Sequence, residues 1–219
     1  MAVTITDVAE RAGVSAMTVS RVINGSQRVR ADTRKRVEAA IAELGYVPNS
    51  LARGLSSQRA GLLALVVPDV ANPFFTLIVR GAEHVARRAG YRMILCNTES
   101  ELEREHEYVQ EMLANRVEGM LLAPASDRSA RNLKLLERHD VPYVLIDRAI
   151  EGVESDLVQG DSVGGARRLV EHLVGLGHRR IALLGGEVEI STSRDRAQGF
   201  RQGLAAAGLL ADPALIIPS

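Results

Sequence analysis

The 219 residues, 46% of them hydrophobic, suffice for more than one domain around a real core. A single cysteine, no signal peptide and no apolar run long enough to span a bilayer exclude a disulfide-built or membrane-spanning protein and point to a reducing cytoplasm. The chain is formally neutral, with 27 basic and 27 acidic residues, but unevenly so: through Arg59 it carries nine cations against five carboxylates, which predicts a basic head that sits on phosphate and a body that does not.

The first elements are short helices. Thr4 followed by Asp7 has the spacing of a capping box, so a helix opens there, with Ile5, Val8, Ala9 and Ala12 on one face. Gly13 suits a left-handed stop and Ser15 can cap the next helix, leaving a very short turn and a steep crossing. The second helix divides into an apolar side, Val19, Val22 and Ile23, and an opposite side of Met17, Ser20, Arg21 and Asn24. One side packs and the other is free to enter a groove, which is the shape of a DNA reader. Asn24 and Gly25 close it. Asp32 and Thr33 open a third helix, where Arg30 is a poor cap, and Val37, Ala40, Ile41 and Leu44 complete one small core before the stop at Gly45.

Pro48 then breaks the chain. Asn49 or Ser50 can cap a helix of under two turns with Leu51, Ala52 and Leu55 on one face, too short to stand alone and weakened by Gly54. By its residues alone this segment is a flexible linker.

After Gly61 the texture changes to apolar strands separated by amphipathic helices. Strands are expected at Leu62–Val67, Met93–Cys96, Met120–Ala123 and Tyr143–Ile146, a doubly wound parallel α/β lobe. A second lobe begins with a helix from about Gly165 to Leu176, a strand Arg180–Leu184, a helix from about Asp195 to Ala207 and an apolar piece Leu215–Ile217. Ligands of such sheets bind beyond the carboxyl ends of the strands, which directs attention to Phe74 or Phe75, to Asp147 followed by Arg148, to Asp161 and to Arg196.

The stretch Ile5–Asn24, ITDVAERAGVSAMTVSRVIN, with its continuation TRKRVEAAIAELGYVPNSLARGL, resembles the lactose-repressor and galactose-repressor (LacI/GalR) family of transcription regulators. The resemblance covers essentially the whole chain. It implies a helix-turn-helix headpiece (1–47), a hinge helix and linker (48–60), a first α/β lobe (61–160) and part of a second (161–219), the body resembling the periplasmic sugar-binding proteins. It implies that Ala16, Met17 and Arg21 face base edges while Ser15, Thr18, Ser20 and Asn24 hold the sugar-phosphate backbone. The chemistry agrees, since an arginine can grip guanine O6 and N7 together whereas Ala16 and Met17 offer apolar contact suited to a thymine methyl. It implies a hinge, through Ala52 and Leu55, that folds when two copies pair in the minor groove and Leu55 wedges between base pairs. It also implies that Phe74, Asp147, Asp161 and Arg196 line an effector cleft. Each of the four admits a plainer role: core for Phe74, helix caps for the two aspartates, a solvated charge for Arg196. Members of the family typically continue for roughly another hundred residues, so the second lobe is expected to be incomplete and the chain a C-terminally truncated fragment.

Other chemistry is not signalled. There is no phosphate-cradling GxxxxGK[ST], the five histidines show no metal-ligand spacing, no catalytic triad is apparent, and Cys96 sits in an apolar strand. No catalytic residue, metal or cofactor is expected. The expected function is a sequence-specific regulator, a repressor by resemblance, that binds a pseudopalindromic operator as a homodimer, or as a dimer of dimers when full length, under control of a sugar-like effector. The alternative is a cytoplasmic small-molecule-binding or sugar-modifying α/β protein whose N-terminal helices are incidental.

Overall fold

The computed structural model describes residues 3–26, 28–47 and 61–217, and the chain divides into two compact units, 1–60 and 61–219. The hinge positions Ala52 and Leu55 lie outside the described residues.

The first unit holds α1 (Ile5–Ala12), α2 (Ala16–Ile23) and α3 (Ala31–Leu44). The capping box forms as the sequence implies: the Asp7 amide donates to Thr4 Oγ1 at 3.3 Å, and the Thr4 amide to the Asp7 carboxylate at 2.7 Å. These bonds hold the Asp7 carboxyl below its usual range. Gly13, at φ 64°, ends α1 in the left-handed conformation that only glycine adopts without strain, and Ser15 caps α2 through the Thr18 amide at 3.3 Å. Helix α3 begins at Ala31, one residue before its acid, and no side chain caps it. Val8, Ala9, Ala12, Val19, Val22, Val37 and Ala40 are buried together, with Ile5, Ile23, Ile41 and Leu44 packed around them. Val14, Val29 and Tyr46 also join this core from the connecting segments, where helical periodicity gives no warning of them. Arg11 clamps Glu43 at 2.7 Å and so ties α1 to α3.

The second unit opens with β1 (Leu62–Val67), α4 (Pro73–Arg88), β2 (Arg92–Asn97), α5 (Leu102–Ala114), β3 (Gly119–Leu122), a 3₁₀ turn (Asp127–Ser129), α6 (Ala130–Arg138), β4 (Tyr143–Ile146) and β5 (Leu157–Val158). The strands form one parallel sheet in the order β2-β1-β3-β4-β5. Side chains alternate faces along a strand, so β1 serves two cores. Ala64 and Val66 pack with Val109 and Met112 of α5 and with Leu133 and Leu136 of α6, while Leu65 and Val67 pack with Phe75 of α4. Helices on both faces explain why β1 reads as an uninterrupted apolar run.

Next come α7 (Ser162–Gly175), β6 (Leu183–Leu184), α8 (Ser191–Ala206), a 3₁₀ turn (Pro213–Leu215) and β7 (Ile216–Ile217), with β6 and β7 paired in parallel. Helices α7 and α8 lie close because Gly199 and Gly203 have no side chain: a Cβ at Gly199 would strike the Val163 carbonyl, and one at Gly203 would strike Val170 Cβ at 2.7 Å. The structure departs from the sequence reading at several boundaries. Helix α7 starts three residues earlier than expected because Asp161 caps it through the Gly164 amide at 2.7 Å, which fixes the start ahead of the glycine pair. The expected strand Arg180–Leu184 shrinks to the two residues paired with Ile216 and Ile217. Helix α8 begins at Ser191, and the short strand β5 gave no apolar signal.

Candidate nucleic-acid interface and ligand cleft

Helix α2 is anchored by Val19 and Val22, which fixes what it turns outward. Met17 is 64% exposed, and Arg21 and Asn24 are exposed beside it. Arg21 has no ion pair among the described residues, so its guanidinium is free to meet an external acceptor. Ser15 and Thr18 share a hydroxyl contact at 3.0 Å at the start of the helix, and Asn24 reaches Ser20 at 3.4 Å at its end. Ala16, half-buried like Thr18 and Ser20, packs against the headpiece core. The turn before α3 adds residues that the helix pattern did not single out. A groove of about 310 Å³ runs between Ser15, Thr18 and Arg21 on one side and Arg28, Arg30 and Thr33 on the other. Arg34 holds that turn in shape by donating to the Ser26 carbonyl at 2.7 Å. The cluster of arginines was visible in the sequence as charge; only the fold sets two of them beside Arg21.

In the second unit, the segment following β4 carries one of the non-glycine residues with positive φ. Asp147 sits at φ 64° in a tight turn closed by the Arg148 amide on the Ile146 carbonyl at 2.7 Å, a strained conformation for a residue with a side chain. The turn turns two charged groups inward. Asp147 is 9% exposed, and burial raises its carboxyl above the usual range while the guanidiniums of Arg148 and Arg196 pull it back down. Arg148 lies over the Phe75 ring at 5.9 Å, donates Nη1 to the Pro124 carbonyl at 2.9 Å, and leaves its buried Nε without a hydrogen-bond acceptor among the described residues. Its Nε is 3.9 Å from Asp147, too far for a hydrogen bond. Burial lowers the Arg148 guanidinium as well.

Of the four residues implied for the cleft, Asp147 and Arg196 are within electrostatic reach of each other. Phe74 is 48% exposed rather than core, its ring edge-on to Phe75 at 5.1 Å, and so it stands one ring away from Arg148. Asp161 caps α7 and lies 3.5 Å from Arg168. Sequence reasoning noted Arg148 beside Asp147 at the strand end but did not carry it into the cleft set; its distinguishing signal is a buried donor, which needs coordinates. A groove of about 770 Å³ runs along Leu183, Arg194, Ala197, Arg201 and Ile216.

Among the described residues, no helix is long and apolar enough to cross a membrane, and no group of three or more His, Cys, Asp or Glu is placed to hold a metal ion.

Comparison with known proteins agrees with both halves. Residues 4–49 match the family of bacterial regulatory proteins of the lacI type, and residues 60–217 match the periplasmic binding proteins and sugar binding domain of the LacI family. The chain is 38% identical over 207 residues to the HTH-type transcriptional repressor PurR of Photobacterium profundum, covering 94% of this chain and 62% of that protein. It is 40% identical over 199 residues to the ribose operon repressor of Bacillus subtilis, covering 90% and 58%. Among solved structures, the lac repressor dimer bound to operator and the anti-inducer ONPF aligns at a TM-score of 0.83 and 32% identity, over 100% of this chain and 66% of that one. The transcriptional regulator CelR in complex with cellobiose aligns at 0.65 and 36% identity, over 99% and 65%. The chain thus spans about three-fifths of the length of the curated relatives it matches, and these are named regulators and repressors rather than enzymes. With a lacI-type helix-turn-helix followed by a parallel α/β sugar-binding-type body, the chain belongs to the LacI family of bacterial regulatory proteins.

Proposed function

We propose that this chain acts as a cytoplasmic transcriptional repressor, which binds a pseudopalindromic operator as a homodimer and is modulated by a sugar-like effector. The observation that carries this reading is the outward face of α2, where Arg21 and Met17 stand exposed on a helix locked from behind by Val19 and Val22. Arg21 reads a guanine edge, Met17 and the half-buried Ala16 give apolar contact, and Ser15, Thr18, Ser20 and Asn24 hold the backbone. Ala52 and Leu55 act in the hinge at 48–60. A two-fold operator follows from pairing two such readers.

The effector cleft lies at the strand ends, with Phe74 offering a ring face and Asp147 and Arg196 a charged pair. Asp161 borders it from the N-terminus of α7. Arg148 belongs with them, because its buried Nε needs an oxygen acceptor that the described residues do not supply. The test combines selection of operator from random duplexes with a salt titration. A regulator yields a palindromic site whose log affinity falls linearly and steeply with log salt, and no enrichment in the selection would refute the DNA-binding reading. On the selected site, Arg196→Ala is expected to leave binding intact and to blunt the response to a panel of free and phosphorylated mono- and disaccharides. An unaltered response removes Arg196 from the site.

A further inference from the structure

Glu105 is the largest charged side chain sealed from solvent in the body, at 0% exposure on α5, and nothing in the proposed function uses it. Three donors converge on its carboxylate. The Ala125 amide reaches Oε2 at 2.7 Å, the Ser129 hydroxyl reaches the same oxygen at 3.0 Å, and Asn132 Nδ2 reaches Oε1 at 2.7 Å. Asn132 in turn meets His106 Nδ1 at 2.6 Å. Two of these donors, Ala125 and Ser129, bracket the loop that follows β3.

That loop carries hydrogen bonds to both sides of the strand-end cleft. Its Pro124 carbonyl accepts from Arg148 Nη1 at 2.9 Å. Its Asp127 carboxylate takes a two-pronged contact from Arg194 Nη1 and Nη2 at 2.7 and 3.2 Å, and accepts from the Glu151 amide at 3.1 Å. Arg194 stands in the first turn of α8, two residues before Arg196, and Glu151 follows Arg148 in the segment after β4. No cation pairs directly with this carboxylate among the described residues, and burial raises its proton affinity against the pull of its three donors and of the more distant Arg131, with Arg148 also within electrostatic reach. A hydrophobic residue of the same length would fill the space with no charge to bury, so the acceptors themselves are what the position supplies.

We propose that Glu105 is a positioning residue of the ligand cleft: by clasping the loop after β3 it sets Arg148 on the first-lobe side and, through Asp127, Arg194 at the start of α8. The role rests on reading the strand-end cluster as the effector cleft.

The test separates acceptor chemistry from packing. In Glu105→Met the volume is kept and both acceptor oxygens are lost. In Glu105→Gln the amide carbonyl still serves Ala125 and Ser129, and Asn132 can turn over to meet the amide nitrogen. Amide exchange is followed by NMR on the full chain. The expected result is exchange at Ala125, Ser129 and the more distant Glu151 faster by about tenfold in Glu105→Met, at nearly wild-type rates in Glu105→Gln, with strand amides of β1 and β3 protected in both. Equal behaviour of the two variants, or acceleration confined to Ala125 and Ser129, overturns the proposal. Saccharide response tells its failure from that of the cleft reading. A blunted response in both Glu105→Met and Arg196→Ala supports both. Loosening of Glu151 in Glu105→Met with the response unaltered in both variants rejects the cleft and leaves the clasp standing, whereas a response blunted in Arg196→Ala but unaltered in Glu105→Met overturns the positioning role.

Discussion

The two units of this protein keep their chemistry in opposite places. Among the described residues, the headpiece buries small aliphatic side chains, valines and alanines, and puts its polar groups outside on α2, where Arg21 has no ion pair. The body adds larger side chains such as Leu136, Met112 and Phe75 to its cores and holds a few charged groups within, with Asp147 at 9% exposure, Glu105 at 0%, and Arg148 over the Phe75 ring. The difference matches the ligand proposed for each unit. Duplex DNA is a large polyanion read by groups that stay hydrated until contact, whereas a small polar ligand is held by groups that have already given up water.

The contrast can be broken at several points. The largest effect is expected from Leu136→Ala, which empties a fully buried site between α6 and the sheet and should cost the body about 2 to 5 kcal/mol. Denaturant melts followed at body amides would record it, and an equal loss at headpiece amides would contradict the independence of the two cores. Next is Arg21→Ala, expected to cost about 1 to 3 kcal/mol of operator affinity and to relax preference at one base pair per half-site. A uniform loss over all sequences, without change of preference, would make Arg21 a phosphate contact.

The smallest effect concerns acid, and its sign differs between units. The Asp7 carboxyl is depressed by the Thr4 bonds, so its contribution is complete above the unfolded value near 3.8 and is lost only as pH falls through the lower folded value. Glu105 is raised by burial, so its ionisation opposes folding, and that penalty grows as pH rises from the unfolded value near 4.5 through the folded one. Lowering pH from 7 toward 4.5 should therefore relieve the body through Glu105 and leave the Asp7 contribution to the headpiece unchanged. Glu105→Gln should flatten the body's profile over that window, as read from denaturant midpoints, and a profile as steep as wild type would remove Glu105 as its source.

Much of this was legible in the chain. Thr4, Gly13, Ser15 and Gly45 marked the headpiece helices because caps and left-handed stops are local events, set by a few neighbouring atoms. The runs at Leu62–Val67 and Tyr143–Ile146 located their strands to the residue because burial on both faces demands continuous apolar sequence. Where the signal depended on distant partners it faded. Strand β5 has two residues and exists through its pairing with Leu145 and Ile146, and β6 is limited to the residues that face β7. Asp147 was found from its place after a strand, but nothing local announced its φ of 64° or the buried Nε of Arg148 beside it.

By itself, the sequence determined the headpiece helices and the outward face of α2, since short helices, caps and an amphipathic division are written within a few residues of one another. It also determined the doubly wound class of the body through the alternation of apolar runs and amphipathic helices. Only the tertiary structure decided which charges meet. Glu105 is 20 residues from Ala125 and Asp127 is 67 from Arg194, and no periodicity links such positions. They are joined because a parallel sheet gathers the ends of strands that are far apart in the chain, and there burial turns ordinary polar side chains into a positioned site.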